Sequence, residues 1–301
     1  MTRCGLVAVI GAPNAGKSTL VNQLVGQKVA ITSAKAQTTR ARMLGIALAK
    51  TEDGGETQMI LVDTPGIFAP RRKLDRAMVS AAWEGAESAD AVLLLVDPVK
   101  QRRHELEPLL EALAARPERR ILVLNKVDVA KKEPLLALAH ELTAKADFAE
   151  VFFVSALTGD GVPELKTALA GTMPEAPWMY PEDQVSDASE RLLAAEITRE
   201  QLYRQLHEEL PYDSAVRPEL YQHRPDGSLE IHQQIVVTRD NQRAIVLGKG
   251  GSRIKAIGEA ARKELSEMLG VKVHLFLHVK VEENWAESRE VFEEIGLDWV
   301  R

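Results

Sequence analysis

Five short apolar runs, each four to six residues long, punctuate the first 170 residues of this 301-residue chain: Leu6–Ile10, Gln58–Val62, Ala91–Val96, Ile121–Leu124 and Val151–Val154. They are apolar on successive residues instead of alternating. That pattern marks strands covered on both faces, hence a mostly parallel sheet sandwiched between helices. The intervening stretches, such as Arg103–Ala115 and Lys131–Ala146, carry helical spacing and strong helix formers. Strand and helix in this alternation predict a doubly wound α/β domain that takes its ligands at the carboxyl ends of its strands. No run approaches the roughly 20 residues that a membrane span requires. The N-terminus, Met-Thr-Arg-Cys-Gly, lacks the pattern of a secretion signal. With Cys4 as the single cysteine no intrachain disulfide can form, and the expected setting is the cytoplasm.

The composition changes between Gly171 and Pro181, where three prolines fall in eleven residues, the mark of a linker or an extended connector. Beyond it the pattern predicts a long helix over about 189–210 and a strand pair around Arg-Pro-Asp-Gly-Ser. A short helix, a glycine-rich turn, a helix at Ser252–Leu269, a strand at Val271–Val281 and a terminal acidic helix follow. The expected division is a first domain over 1–172, a linker over 173–186 and an α+β domain over 187–301. The net charge of −6 conceals two opposed patches. Arg239–Lys263 has seven basic residues against two acidic, whereas Val281–Asp298 has one basic against seven acidic. Binding follows the local field and not the sum, so the total does not exclude a nucleic-acid partner.

Directly after the first run, Gly11, Ala12, Pro13, Asn14, Ala15, Gly16, Lys17 and Ser18 fit G-x-x-x-x-G-K-[ST] between a strand and a helix. Such a loop aims several N–H groups into one concavity, a cradle for phosphate oxygens at a helix start. Lys17 is expected to neutralise the outer phosphates, Ser18 to ligate magnesium and Thr19 to extend the cradle. Asp63, Thr64, Pro65 and Gly66 close the second run. The carboxylate can hold magnesium, and the Gly66 N–H can meet the terminal phosphate. Between the first helix and the next strand, Gln37, Thr38, Thr39 and Arg40 form the expected switch. Either threonine can complete the magnesium shell, with Thr39 favoured.

Asn125, Lys126 and Asp128 follow the fourth run, and they decide the base. Guanine offers two adjacent donors that one carboxylate accepts together. Adenine would face the Asp128 charge with a bare lone pair, a mismatch costing on the order of several kcal/mol. Asn125 can tie the loops, the Lys126 stem can cover the ring, and Ser155–Ala156 can offer a backbone N–H to the base carbonyl. The nucleotide expected is therefore GTP, with GDP as product; an ATP-driven enzyme is opposed by Asp128. Many GTPases orient the attacking water with a glutamine just after the Asp-x-x-Gly. Here Ile67 and then Phe68 stand in that place, so slow hydrolysis is expected, with Lys17, Asn14 and Gly66 as the catalytic set. The Asn14 side chain is a candidate ligand for a monovalent cation such as potassium, the alternative being that it only stiffens the loop. A non-hydrolysing GTP sensor remains the rival reading.

In the second domain, Gly248, Lys249, Gly250 and Gly251 make a G-x-x-G turn, with Arg253 and Lys255 close behind. Between two helices this is the clamp by which KH domains grip the backbone of single-stranded RNA. Ile254, Ile257 and Leu265 are expected in the core, and the histidines show no metal-ligand spacing. Together, Gly-Ala-Pro-Asn-Ala-Gly-Lys-Ser, Ala-Gln-Thr-Thr-Arg, Asp-Thr-Pro-Gly-Ile, Asn-Lys-Val-Asp, Val-Ser-Ala and Gly-Lys-Gly-Gly-Ser-Arg-Ile-Lys resemble the Era family of bacterial GTPases over nearly the whole chain. The resemblance implies an α/β P-loop GTPase domain followed by an α+β type II KH domain. It further implies binding near the 3′ end of 16S rRNA and a role in 30S subunit assembly, with nucleotide state gating RNA binding. The family also implies peripheral association with the inner membrane, which nothing in the composition shows, and the chain is expected to be a monomer.

Overall fold

The computed structural model describes residues 2–33, 35, 38–51, 54–68, 73–87, 89–100, 103–206, 210 and 212–289. Two compact units emerge, one of Met1–Arg71 and Met78–Asp187, the other of Arg72–Ala77 and Ala188–Arg301.

The first unit runs β1 (Thr2–Gly11), α1 (Lys17–Val25), β2 (Met43–Lys50), β3 (Glu56–Asp63), α2 (Lys73–Glu87, of which 73–77 fall in the second unit), β4 (Ala91–Val96), α3 (Arg103–Ala114), β5 (Arg119–Leu124), α4 (Lys132–Lys145), β6 (Glu150–Phe153) and α5 (Val162–Thr172). Its six strands lie in the order β2-β3-β1-β4-β5-β6, parallel except for β2, which is antiparallel to β3. The five apolar runs are the five parallel strands. Their unbroken apolarity has the expected cause: alternate residues enter two cores. Val7, Val9, Leu93 and Leu95 pack with Leu20, Leu24, Leu165 and Leu169 of α1 and α5. Ala8, Ile10, Leu94 and Val96 pack with Leu106, Leu110, Leu135 and Leu142 of α3 and α4. The parallel register puts Val9 beside Asp63 and Gly11 beside Leu95, so the motif-bearing loops leave the sheet at one end.

The proline-rich segment is an extended strap on this unit and not a free linker. It begins at β1, where the Cys4 N–H donates to the Pro174 carbonyl (3.1 Å). Trp178 and Tyr180 then pack on Cys4, Leu44, Ile60 and Val62. The buried Gln58 amide fixes the crossing: its Oε1 accepts the N–H groups of Met179 and Tyr180 (3.0 Å each), and its Nε2 donates to the Tyr180 carbonyl (2.8 Å). The strap ends along the outer edge of β2. The Ile46 N–H donates to the Val185 carbonyl (2.8 Å), Ser186 Oγ to the Leu44 carbonyl (2.7 Å) and the Leu44 N–H to Asp187 Oδ1 (3.3 Å). Proline's missing donors are tolerable in such a strap, because few of its amides must join a ladder.

The second unit contains α6 (Glu190–Gln205), β7 (Ser214–His223), β8 (Leu229–Val237), α7 (Asp240–Leu247), a tight helical turn at Lys249–Gly251, α8 (Ser252–Leu269) and β9 (Val273–Val281). Ser189 caps α6 by accepting the Leu192 N–H. The three strands lie in the order β7-β8-β9, with β7 and β8 antiparallel and β8 and β9 parallel. Ala195 and Leu202 of α6, Val216, Ile235 and Val237 of the sheet, and Ile257 of α8 form its core; Leu265 is also buried and Ile254 partly so. The expected terminal acidic helix falls largely on 290–301, outside the described residues.

Candidate functional site

The loop from Gly11 to Gly16 joins β1 to α1, and three of its residues have positive φ: Gly11 (152°), Asn14 (63°) and Gly16 (99°). At Gly16 only glycine fits, because a Cβ there would stand 2.3 Å from Asn125 Nδ2. That amide donates to the Ala15 carbonyl (2.8 Å), while Asn125 Oδ1 accepts the Ala156 N–H (2.9 Å). One buried side chain thus joins the phosphate loop, the loop after β5 and the loop after β6. Ala15 and Ala156 are themselves buried, and Ala12, Pro13 and Thr19 are partly exposed.

Lys17 is buried and its Nζ donates to the carbonyls of Gly11 (3.3 Å) and Ala12 (3.0 Å). Burial pushes its ammonium down to about 8, against the pull of the Asp63 carboxylate. Asp63, at the end of β3, is fully buried and is pushed up to about 6 by desolvation; the Ser18 hydroxyl, the Lys17 charge and Thr39 oppose that rise. Ser18 Oγ donates to Asp63 Oδ2 (2.7 Å), Thr39 Oγ1 donates to the same oxygen (3.3 Å), and the two hydroxyls are 2.8 Å apart. Thr38 turns away, its hydroxyl donating to the Lys35 carbonyl (2.9 Å). Between the two threonines the sequence left open, Thr39 is the one that joins this cluster. Arg40 is buried, and Gln37 lies outside the described residues.

After β3, Thr64 Oγ1 donates to the Val9 carbonyl (2.7 Å), Pro65 is buried and Gly66 lies against Pro13. The Ile67 N–H donates to the Gly11 carbonyl (3.0 Å), and its side chain packs on the α3–α4 core. A small, partly open pocket of about 50 Å³ is lined by Gly16, Lys17, Ser18, Thr39 and Gly66 together with Thr32 and Ser33, which sequence reasoning did not single out.

At the far side, Asp128 is exposed on a turn, and Lys126 (φ 63°) reaches Asp97 Oδ2 (2.6 Å) and the Asn14 carbonyl (2.9 Å). The amides of Ser155 and Ala156 are both engaged within the protein, with Asp160 O and Asn125 Oδ1. The loop closes on itself as a turn, so the first of its amides without a partner among the described residues is that of Leu157, a residue 76% exposed. Neither Asp97 nor Leu157 belongs to a spaced motif: the pairing with Lys126 finds the first, and the turn that occupies the amides before it finds the second.

In the second unit the G-x-x-G turn sits between α7 and α8. Gly250 has φ 61° and open space where a side chain would be, and Lys249 and Lys255 are exposed. Gly251 begins α8 from the left-handed region. Arg253, expected to meet RNA, donates through Nη1 to the Ile245 carbonyl (2.8 Å) beside Gly248, so it braces the end of α7. An open cleft of about 410 Å³ runs from Ile254, Lys255, Gly258 and Arg262 of α8 to Leu275–Leu277 of β9.

Residues 6–126 match a family model described as "50S ribosome-binding GTPase", and residues 209–286 match the KH domain model. GTPase Era of Erythrobacter litoralis is 84% identical over 301 residues, 100% of this chain and 99% of the relative. GTPase Era of a Bradyrhizobium species is 55% identical over 300 residues, 100% of this chain and 96% of the relative. Among solved structures, a variant of Aquifex aeolicus Era bound to GDP·AlF4⁻ superposes with a TM-score of 0.91 at 37% identity, covering 98% of this chain and 99% of that one. Era in complex with MgGDPNP and nucleotides 1506–1542 of 16S ribosomal RNA gives the same values. With phosphate loop, switch cluster, base loop and KH turn all in place, and with full-length relatives at this identity, the chain belongs to the Era family of GTPases.

Proposed function

We propose that the chain is a GTP-hydrolysing switch whose nucleotide state sets how its KH unit grips the 3′ end of 16S rRNA during small-subunit assembly. The observation that carries this reading is the convergence of the Ser18 and Thr39 hydroxyls on buried Asp63, which couples the segment before β2 to the phosphate loop. The same cluster suits magnesium: Asp63 Oδ1 is buried without a hydrogen-bond partner among the described residues, and the donors are hard oxygens. Among the described residues no group of three or more His, Cys, Asp or Glu could hold a metal alone, which fits an ion shared with nucleotide phosphates. When bound, magnesium supplies charge neutralisation at the terminal phosphates.

Water attacks the γ-phosphorus of GTP, the bond to the β–γ bridging oxygen breaks, and GDP and phosphate leave. Lys17 and the N–H groups of Asn14, Gly16, Lys17 and Ser18 face the charge that develops, with Gly66 at the terminal phosphate. Asp128 accepts the guanine N1–H and 2-amino groups, Asn125 holds the loops together, and the Leu157 amide takes the base carbonyl. Ile67 and Phe68 offer water no hydrogen bond, so basal turnover is slow. Asn14, beside the phosphates, is assigned to potassium. Gly248–Gly251 with Lys249 and Lys255 grip the RNA backbone. The matching family model names the 50S subunit, whereas the solved relative spanning both units holds a 16S fragment. The small-subunit reading is preferred because that relative includes the KH unit. Among the described residues no helix is long and apolar enough to cross a membrane. Residues 187–301 carry the RNA function, the chain acts as a cytoplasmic monomer, and any contact with the inner membrane is peripheral.

Phosphate release measured with and without potassium and 16S 3′-end RNA should rise above background with either addition. A flat background rate in every condition would leave only the GTP-sensor reading. RNA affinity should differ between the GDPNP and GDP states, and equal affinity in both overturns the switch. Asp128→Asn should weaken GTP and strengthen xanthosine triphosphate; an unchanged preference removes Asp128 from the base.

A further inference from the structure

Asp97 directly follows the fourth strand, and its side chain is only 6% exposed. Its Oδ1 accepts the N–H groups of Val99 (2.9 Å) and Lys100 (3.1 Å), while Oδ2 lies 2.6 Å from Lys126 Nζ. The same ammonium donates to the Asn14 carbonyl at 2.9 Å. Lys126 is thus held at its tip between the end of β4 and the phosphate loop. Its backbone is fixed in the left-handed region (φ 63°), which long side chains rarely adopt. A lysine stem is among the most mobile of side chains when its head is free. Pinned at both ends, it becomes a stiff apolar strip beside Asn125 and ahead of Asp128.

We propose that Asp97 is a positioning residue for the guanine base: by holding Lys126 Nζ it sets the lysine stem as a fixed wall against which the ring lies. Asp97 itself touches no nucleotide. The inference rests on the guanine reading of Asn125, Lys126 and Asp128. The carboxylate does two separable jobs, capping its own turn through Oδ1 and holding the ammonium through Oδ2, so the two can be tested apart.

The test uses full-length Asp97→Asn and displacement of a fluorescent GDP. Asparagine keeps an oxygen for Val99 and Lys100 but turns an NH2 group toward the ammonium. Affinity for GDP and GTP should fall together by about 10-fold (about 1.4 kcal/mol), mainly through faster release. Tripolyphosphate, which has no base, should compete as well as it does with the unaltered protein. Lys126→Met, which keeps an apolar stem without the anchor, should show a similar loss, and adding Asp97→Asn to it should change affinity less than about 2-fold. An equal loss for tripolyphosphate, a full loss on top of Lys126→Met, or no loss in the unaltered background each overturns the proposal. Failure of the guanine reading would show separately, as no shift toward xanthosine nucleotides in Asp128→Asn.

Discussion

Around the phosphate loop, the side chains that the motifs single out are already bound to one another. Asn125 joins three loops, Ser18 and Thr39 meet on Asp63, and Lys17 is folded onto two carbonyls of its own loop. Around the G-x-x-G turn the opposite holds. Lys249 and Lys255 are exposed, the space beyond Gly250 and Gly251 is open, and the adjoining cleft is wide. A buried, mutually bonded site behaves as one object, so removing a member disturbs the rest. An exposed cationic turn works through local charge and close approach, so its members contribute separately and less as ionic strength rises. The first arrangement suits discrimination between two nucleotides that differ by one phosphate. The second suits reversible capture of a flexible strand.

The comparison is tested most severely by Asp63→Asn, which keeps an acceptor for Ser18 but removes the charge at the buried junction. GTP hydrolysis should fall by at least about 100-fold, measured as single-turnover phosphate release, while RNA affinity without nucleotide stays put. A loss under about 5-fold would mean that the junction is no more coupled than the clamp. A middle-sized effect is expected from Gly250→Asp. The open space admits the side chain and aspartate tolerates the left-handed region, but the new charge faces phosphate. RNA affinity should drop about 10-fold with GDP affinity and melting temperature unchanged; loss of both ligands would show the units to be less independent than their construction suggests. The smallest effect belongs to Lys249→Ala. RNA binding should weaken a few-fold, and the slope of log affinity against log salt should shrink by about 1. A slope that stays the same would take Lys249 off the phosphate backbone.

How much of this was legible in the sequence follows the same division. The five parallel strands announced themselves because residues on both faces are buried, and the nucleotide motifs because phosphate and guanine chemistry demand particular residues at particular spacings. β2 was harder to read: Met43–Lys50 is an edge strand antiparallel to β3 and ends in partly exposed residues. Thr38 and Thr39 could not be separated by spacing, since either hydroxyl reaches a loop, and only the fold decides which one turns inward. Asp97 carries no motif because its partner Lys126 lies 29 residues on, brought beside it by the pairing of β4 with β5, and the Leu157 amide none because a free backbone N–H leaves no mark in the residue type. The clamp was legible as a turn between helices, but its cleft was not, as Arg262 and Leu277 are brought together by α8 packing on β9. Arg253 shows the limit of reading charge alone, since its guanidinium serves a helix end.

The strap over 174–187 bears on how the chain can be divided. A cut at the shift in composition near 172 would strip the outer edge of β2 of its partner and leave the Cys4, Leu44, Ile60 and Val62 surface bare. Such a fragment would present an open sheet edge and an apolar patch, the two features by which isolated domains clump. Ending the fragment after Asp187 keeps both covered, so the place where proteolysis should first nick the molecule is not the proline-rich stretch that looks most like a hinge on paper.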